Sequence, residues 1–153
     1  MESAVLGINH NTVDAVGDVN NDGFDDFAYG APDAGNGFVN LVHGNNSVDY
    51  TPDQTSNGGA SGDSYGHAVA GIGDFDGDGK LDYAVSALNA DTGGTDRGKM
   101  YIKFGNGGTD TIVSGHVDNM HLGNHIDGLG DINGDGLSDI IVSAQDTVGG
   151  NYE

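Results

Sequence analysis

Apolar residues along this chain come in short bursts separated by polar, glycine-rich stretches. The segments "GFVNLVHG" (37–44) and "GKMYIKFG" (98–105) alternate with period two, the signature of a half-buried strand. That alternation puts Val39, Leu41 and His43 on one face and Met100, Ile102 and Phe104 on the matching face, as core positions. Other bursts, "FAYGA", "YAVSA" and "IIVSA", each follow a run of aspartate, asparagine and glycine. No segment has a convincing helical period, and frequent glycine and β-branched residues argue against helix.

The bursts belong to a repeat. "VGDVNNDGFDDFAYGAP" (16–32), "IGDFDGDGKLDYAVSAL" (72–88) and "LGDINGDGLSDIIVSAQ" (129–145) align on Asp18, Asp74 and Asp131, with periods of 56 and 57 residues. Each copy reads Gly-Asp-x-(Asp/Asn)-x-Asp-Gly-x-x-Asp and then runs apolar. Each unit therefore predicts strand, Asp loop, strand, Gly-rich loop, strand, turn, strand. Four short antiparallel strands per unit is the pattern of a propeller blade. The expected fold is all-β, about two and a half blades: blade 1 about 4–58, blade 2 about 59–117 and an incomplete blade 3 about 118–153.

The Asp loop has the spacing of a calcium site. Calcium takes six to eight oxygens, and oxygens at positions 1, 3 and 5 of a tight turn converge on one point. Glycine at position 6 permits the bend. A carbonyl at 7 and a carboxylate at 9 complete the shell. The first expected site is Asp18, Asn20, Asp22, the Phe24 carbonyl and Asp26. The second is Asp74, Asp76, Asp78, the Lys80 carbonyl and Asp82. The third is Asp131, Asn133, Asp135, the Leu137 carbonyl and Asp139. The Lys80 side chain should then point away from the metal. An EF-hand is excluded because its acidic residue at position 12 is replaced by Tyr29, Val85 and Val142. Magnesium demands a smaller octahedral shell, and zinc prefers the Cys and His that these loops lack. The competing reading is a set of solvated, metal-free Asx turns; it does not require four oxygen ligands at the same spacing three times.

Charge agrees with a cation partner. The 153 residues hold 24 acidic against four basic side chains, a net charge of −20. Nucleic acids and anionic membranes need basic clusters, so both are poor partners. The absence of cysteine excludes a disulfide scaffold, and no stretch has the roughly 20 apolar residues of a membrane-spanning helix.

These loops resemble the FG-GAP repeat, the blade unit of integrin α-subunit-like β-propellers. Tyr65-Gly66 and Leu122-Gly123 stand where that family has Phe-Gly, and Gly30-Ala31-Pro32 matches its closing triplet; Ser86-Ala87-Leu88 and Ser143-Ala144-Gln145 are looser. The resemblance implies calcium tying the first and second strands of each blade on one face. It implies ligand-engaging loops on the other, at about 32–37 and 88–98 within blades and 49–64 and 115–121 between them. No Arg-Gly-Asp is present. Propellers of this type have seven blades; here the third strand of blade 3 would begin at Gly150. The expectations are a fragment, a ring-forming protomer or a fibre subunit, with a lean towards self-association through exposed strand edges.

The expected function is that of an extracellular or cell-surface calcium-binding module for adhesion or ligand binding, its protein or glycan ligand unspecified. A self-assembling fibre or surface-layer subunit is the alternative, and an accessory domain of a secreted hydrolase or lyase ranks third. No enzyme activity is expected. "GDSYG" (62–66) fits Gly-x-Ser-x-Gly, but Ser64 lacks the strand before and helix after that a nucleophile needs. His121 and His125 fall outside any helix. Asp25, Asp63, Asp91 and Asp127 read as solvated surface, Asn45-Asn46-Ser47 as a lone glycosylation sequon, and Tyr50, Tyr65 and Tyr101 as packing residues before sugar-stacking ones.

Overall fold

A computed structural model describes residues 12–47 and 49–145. Ten strands and no helix appear among them. The first sheet runs β1 (Thr12–Gly17), β2 (Asp26–Ala31), β3 (Phe38–Val42) and β4 (Gln54–Asn57), all antiparallel and in chain order. The second repeats this with β5 (Tyr65–Gly73), β6 (Asp82–Ala87), β7 (Lys99–Lys103) and β8 (Thr111–Ser114). A third pair, β9 (Leu122–Gly130) and β10 (Asp139–Ala144), is the beginning of another such sheet. The chain is thus all-β and built from sheets of the propeller-blade kind. The expected third strand of the third unit, at Gly150, lies outside the described residues, as does the chain before Thr12.

The sheets pack face to face through two apolar layers. Val16, Val19, Ala28, Val39 and Leu41 of the first meet Val69, Tyr83 and Val85 of the second. The other face of the second sheet, with Ile72, Ala84, Met100 and Ile102, meets Ile126, Ile140 and Val142. Four of the six expected alternating positions are fully buried; His43 and Phe104, at the strand ends, are half-buried. Two backbone latches join neighbouring sheets: Gly37 bridges Tyr65, and Gly98 bridges Leu122. Both glycines have left-handed φ, and a Cβ on Gly37 would sit 2.2 Å from the Tyr65 carbonyl oxygen. Only glycine fits there.

One expectation is corrected. The segment 49–64, read as a single connection between blades, contains β4. Its residues Gln-Thr-Ser-Asn carry no apolar alternation, so the sequence gives no strand signal. Pairing with β3 and side-chain bonds from Thr55 to Asn40 (2.6 Å) and between Ser56 and Tyr65 (2.9 Å) hold it instead. The other three expected loops, 32–37, 88–98 and 115–121, do connect strands.

Among the described residues, nothing covers one face of the third pair. Ile132 is 70 % and Ile141 54 % exposed, whereas their repeat equivalents Val19 (3 %), Ala28 (0 %) and Ala84 (0 %) are buried under the next sheet.

Candidate metal centre

All three Asp loops connect the first two strands of a sheet, and one local device positions them. A β-bulge precedes each loop, ending on Gly17, Gly73 or Gly130 with φ of 71°, 74° and 64°. The bulge turns the chain out of the ladder. Across that ladder each bulge glycine faces the aspartate at position 9: Gly17 with Asp26, Gly73 with Asp82, Gly130 with Asp139. Strand register therefore returns the last candidate ligand to the base of its loop.

Within each loop the carboxylates and amides organise the backbone. The position-1 aspartates Asp18, Asp74 and Asp131 accept the position-6 glycine N–H through Oδ2, at 2.8, 2.9 and 2.9 Å. Positions 3 and 5 each close an Asx turn through Oδ1. Asn20, Asp76 and Asn133 accept from the N–H two residues on, as do Asp22, Asp78 and Asp135. In loop one the remaining groups of these two positions face each other, Asn20 Nδ2 donating to Asp22 Oδ2 at 2.9 Å. Amides pull the Asp131 carboxyl below its ordinary value, those of Gly136 first and Gly134 next.

Position 9 differs. Asp26 accepts from Val19 N–H (2.9 Å) and Gly44 N–H (2.8 Å), and Asp82 from Phe75 N–H (2.8 Å) and Gly105 N–H (3.0 Å). Each carboxylate therefore staples its loop to the end of the third strand. Burial pushes both carboxyls up from the ordinary aspartate value, against the pull of those amides. Asp139 accepts from Ile132 N–H (2.9 Å) and from Asn133 Nδ2 (3.3 Å).

The donor set suits a hard cation. Carboxylate oxygens of Asp74, Asp76 and Asp78 all lie within 4.8 Å of one another. Only oxygen ligands converge there, as calcium and magnesium require. Asp82 stands apart from that trio, committed to its backbone amides. The position-7 side chains of Phe24 and Leu137 are exposed, and Lys80 forms no ion pair among the described residues. Loops one and three have asparagine at position 3 and so hold one carboxylate fewer.

Two features escape a reading of the loops alone. Gly44 and Gly105, which supply amides to position 9, end the two period-two strands; a Cβ on either would lie 2.3 or 2.4 Å from a loop carbonyl. Asn106 follows Gly105 and donates from Nδ2 to Asp78 Oδ2 at 2.6 Å and Asp76 Oδ2 at 3.4 Å. The recurrence of Gly-Asn at 44–45 and 105–106 is the signal that could have found it.

Asp25 lies in the first loop itself, whereas Asp63, Ser64, Asp91 and His121 lie at the opposite ends of the sheets. Ser64 leads into β5, and its Oγ accepts from Asn89 Nδ2 at 3.1 Å. Tyr65 is buried edge-on against Tyr101, so it offers no sugar platform. His125 lies in β9 and His121 in the preceding turn, its Nδ1 buried without a partner. Burial raises the Asp63 carboxyl, Lys99 opposes that, and Asp91 adds to it. These two acids are thus within electrostatic reach, a pairing the sequence did not give.

Two four-stranded antiparallel sheets and a third strand pair, each with an Asp loop between its first two strands, define a tandem of propeller-type blades. Comparison with known proteins shows what the chain resembles. Residues 11–47 match the FG-GAP repeat. Over half of its length the chain is similar to integrin alpha subunits: 39% identical over 79 residues to integrin alpha-6 of Gallus gallus, and 37% over 85 residues to integrin alpha-PS3 of Drosophila melanogaster. It is also 43% identical over 79 residues to integrin alpha-7 of Homo sapiens. The matched part is about 7% of each of those proteins. Residues 11–47 thus match one FG-GAP repeat, and half of the chain is similar to a small part of integrin alpha subunits.

Proposed function

We propose that this chain is a calcium-binding β-propeller module acting outside the cell or at its surface, where it engages a protein or glycan ligand. The observation that carries the reading is the convergence of the Asp74, Asp76 and Asp78 carboxylates within 4.8 Å at the tip of a bulge-anchored loop. Three like charges so close repel unless a cation joins them. Ions would be held in three sites, by Asp18, Asn20, Asp22 and Asp26, by Asp74, Asp76, Asp78 and Asp82, and by Asp131, Asn133, Asp135 and Asp139, with carbonyls of Phe24, Lys80 and Leu137. The role of the ion is linkage: it binds the folded loops better than the unfolded chain and stabilises the fold. Ligand contact falls to the loops at the other end of the sheets. The reading is binding, not catalysis.

Thermal unfolding in millimolar calcium chloride, and again in excess chelator, tests it. The expected result is a higher melting temperature with calcium; equal melting temperatures would overturn it. A second reading, self-association into a larger assembly, is favoured by the uncovered apolar face of Ile132 and Ile141. Light scattering in both buffers distinguishes a monomer of 15.5 kDa from an assembly.

A further inference from the structure

We propose that Asn106, from the turn after β7, is a positioning residue of the second metal loop, supplying in trans the amide that the other two loops carry at position 3. In loop one, Asn20 Nδ2 donates to Asp22 Oδ2 at 2.9 Å, tethering the position-5 carboxylate. In loop three, Asn133 Nδ2 donates to Asp139. Loop two has Asp76 at that position and cannot supply an amide. It would present three adjacent carboxylates with backbone donors but no side-chain donor of its own.

Asn106 fills that gap. Its Oδ1 accepts from Gly108 N–H at 2.7 Å, which fixes the amide orientation and directs Nδ2 at the loop. Nδ2 then reaches Asp78 Oδ2, the same position-5 oxygen that Asn20 reaches in loop one, and Asp76 Oδ2 beside it. The repeat equivalent supports the assignment by contrast. Asn45 makes the same turn, its Oδ1 accepting from Ser47 N–H at 2.8 Å, but its Nδ2 contacts no carboxylate among the described residues. Loop one already has Asn20 and needs no second amide. A residue that holds ligands in place, without being one, typically changes metal affinity by 10–100-fold.

The inference rests on the calcium reading, and the test separates the two. Calcium chloride is titrated into ¹⁵N-labelled full chain, following the amides of Gly23, Gly79 and Gly136, each bonded to the position-1 aspartate of one loop. Asn106→Ala should raise the half-saturating calcium at Gly79 about tenfold, with Gly23 and Gly136 unchanged. Asn106→Ser keeps a hydroxyl that can cap the turn but is too short to reach Asp78, and should behave like alanine. Asn45→Ala should leave all three curves in place. Unchanged Gly79 curves in both Asn106 variants, with the wild-type chain titrating normally, would overturn the role of Asn106 alone. A wild-type chain whose three glycines do not respond to calcium would overturn the calcium reading and this inference with it.

Discussion

Replacing Asp82 by alanine should cost more stability than the same change at its repeat equivalent Asp139, and should do so without metal. Asp82 is fully buried, and its two oxygens accept from Phe75 and Gly105. Hydrogen bonds to a charged group are worth about 1.5–3 kcal/mol each, and a buried donor left unsatisfied costs about 1–3 kcal/mol. Truncation strands two such donors. Relief of the desolvation that raises the Asp82 carboxyl offsets part of this. A net loss of about 3 kcal/mol remains, which for a chain of this size lowers the melting temperature by roughly 6–12 °C.

Asp139→Ala is the internal control. Its carboxylate is less buried, and one of its two donors is the Asn133 side chain, which can turn to water. The expected loss is about 1 kcal/mol. Urea unfolding in excess chelator measures both variants with the metal removed from the comparison. If Asp82→Ala loses no more than Asp139→Ala there, position 9 is a ligand only and the stapling argument is wrong. Repeating the pair in calcium then reads the metal contribution separately.

Other outcomes follow from single contacts. Gly37→Ala should cost well over 3 kcal/mol, because its φ of 76° and the Tyr65 carbonyl 2.2 Å away both oppose a Cβ. Gly35→Ala, left-handed with nothing within 4 Å, should cost about 1–2 kcal/mol in the same urea assay. Val19→Asp should unfold the chain, whereas Ile132→Asp should fall within about 0.5 kcal/mol of wild type and reduce any self-association seen by light scattering. Stability should decline as pH rises from about 10 towards 12. Burial pushes the Tyr83 hydroxyl up to about 12 from the ordinary tyrosine value of 10.0, so ionisation above that ordinary value favours the unfolded chain. Lys103 adds to the decline. Burial is the largest influence and lowers its pKa, but the bond to Asp110 together with the charges of Asp110, Tyr65 and Tyr83 outweighs it, so its stabilising contribution is intact below its ordinary value and lost as pH climbs through the raised one. Tyr83→Phe should flatten the fall, read by circular dichroism across that range.

The strand framework was legible because two periodicities coincide. Alternation marked Val39, Leu41, Met100 and Ile102, and the repeat aligned the Asp loops to the residue. What the sequence withheld was long-range. Gly44 and Asn106 are unremarkable in their own segments and acquire roles only when the third strand returns beside the loop, 26 and 32 residues after the position-1 aspartate of their units. The repeat predicted a fourth strand in the unit, but the place of β4 was hidden because its bonds are made by backbone and hydroxyls, which need no apolar pattern. Asp63 and Asp91 lie 28 residues apart and come within electrostatic reach because the turns before β5 and after β6 share one end of the second sheet.

The position-9 aspartates link metal binding to the fold more tightly than ligand counting suggests. Asp26 and Asp82 each belong at once to a loop, to the first rung of a strand and, through Gly44 or Gly105, to the strand beyond it. The loops also touch: Ser138 N–H donates to the Asp74 carbonyl at 3.0 Å, and Leu81 packs over Gly17. A change in the second loop is therefore felt by the sheets on either side, through backbone rather than through mobile side chains. A cation held at Asp74, Asp76 and Asp78 offsets charge in a chain of net −20 where three sheets converge. Its stabilising effect should then appear in one cooperative transition. Separate transitions for the first and second sheets on chelation would show instead that the latches at Gly37 and Gly98 are too weak to make the array a single unit.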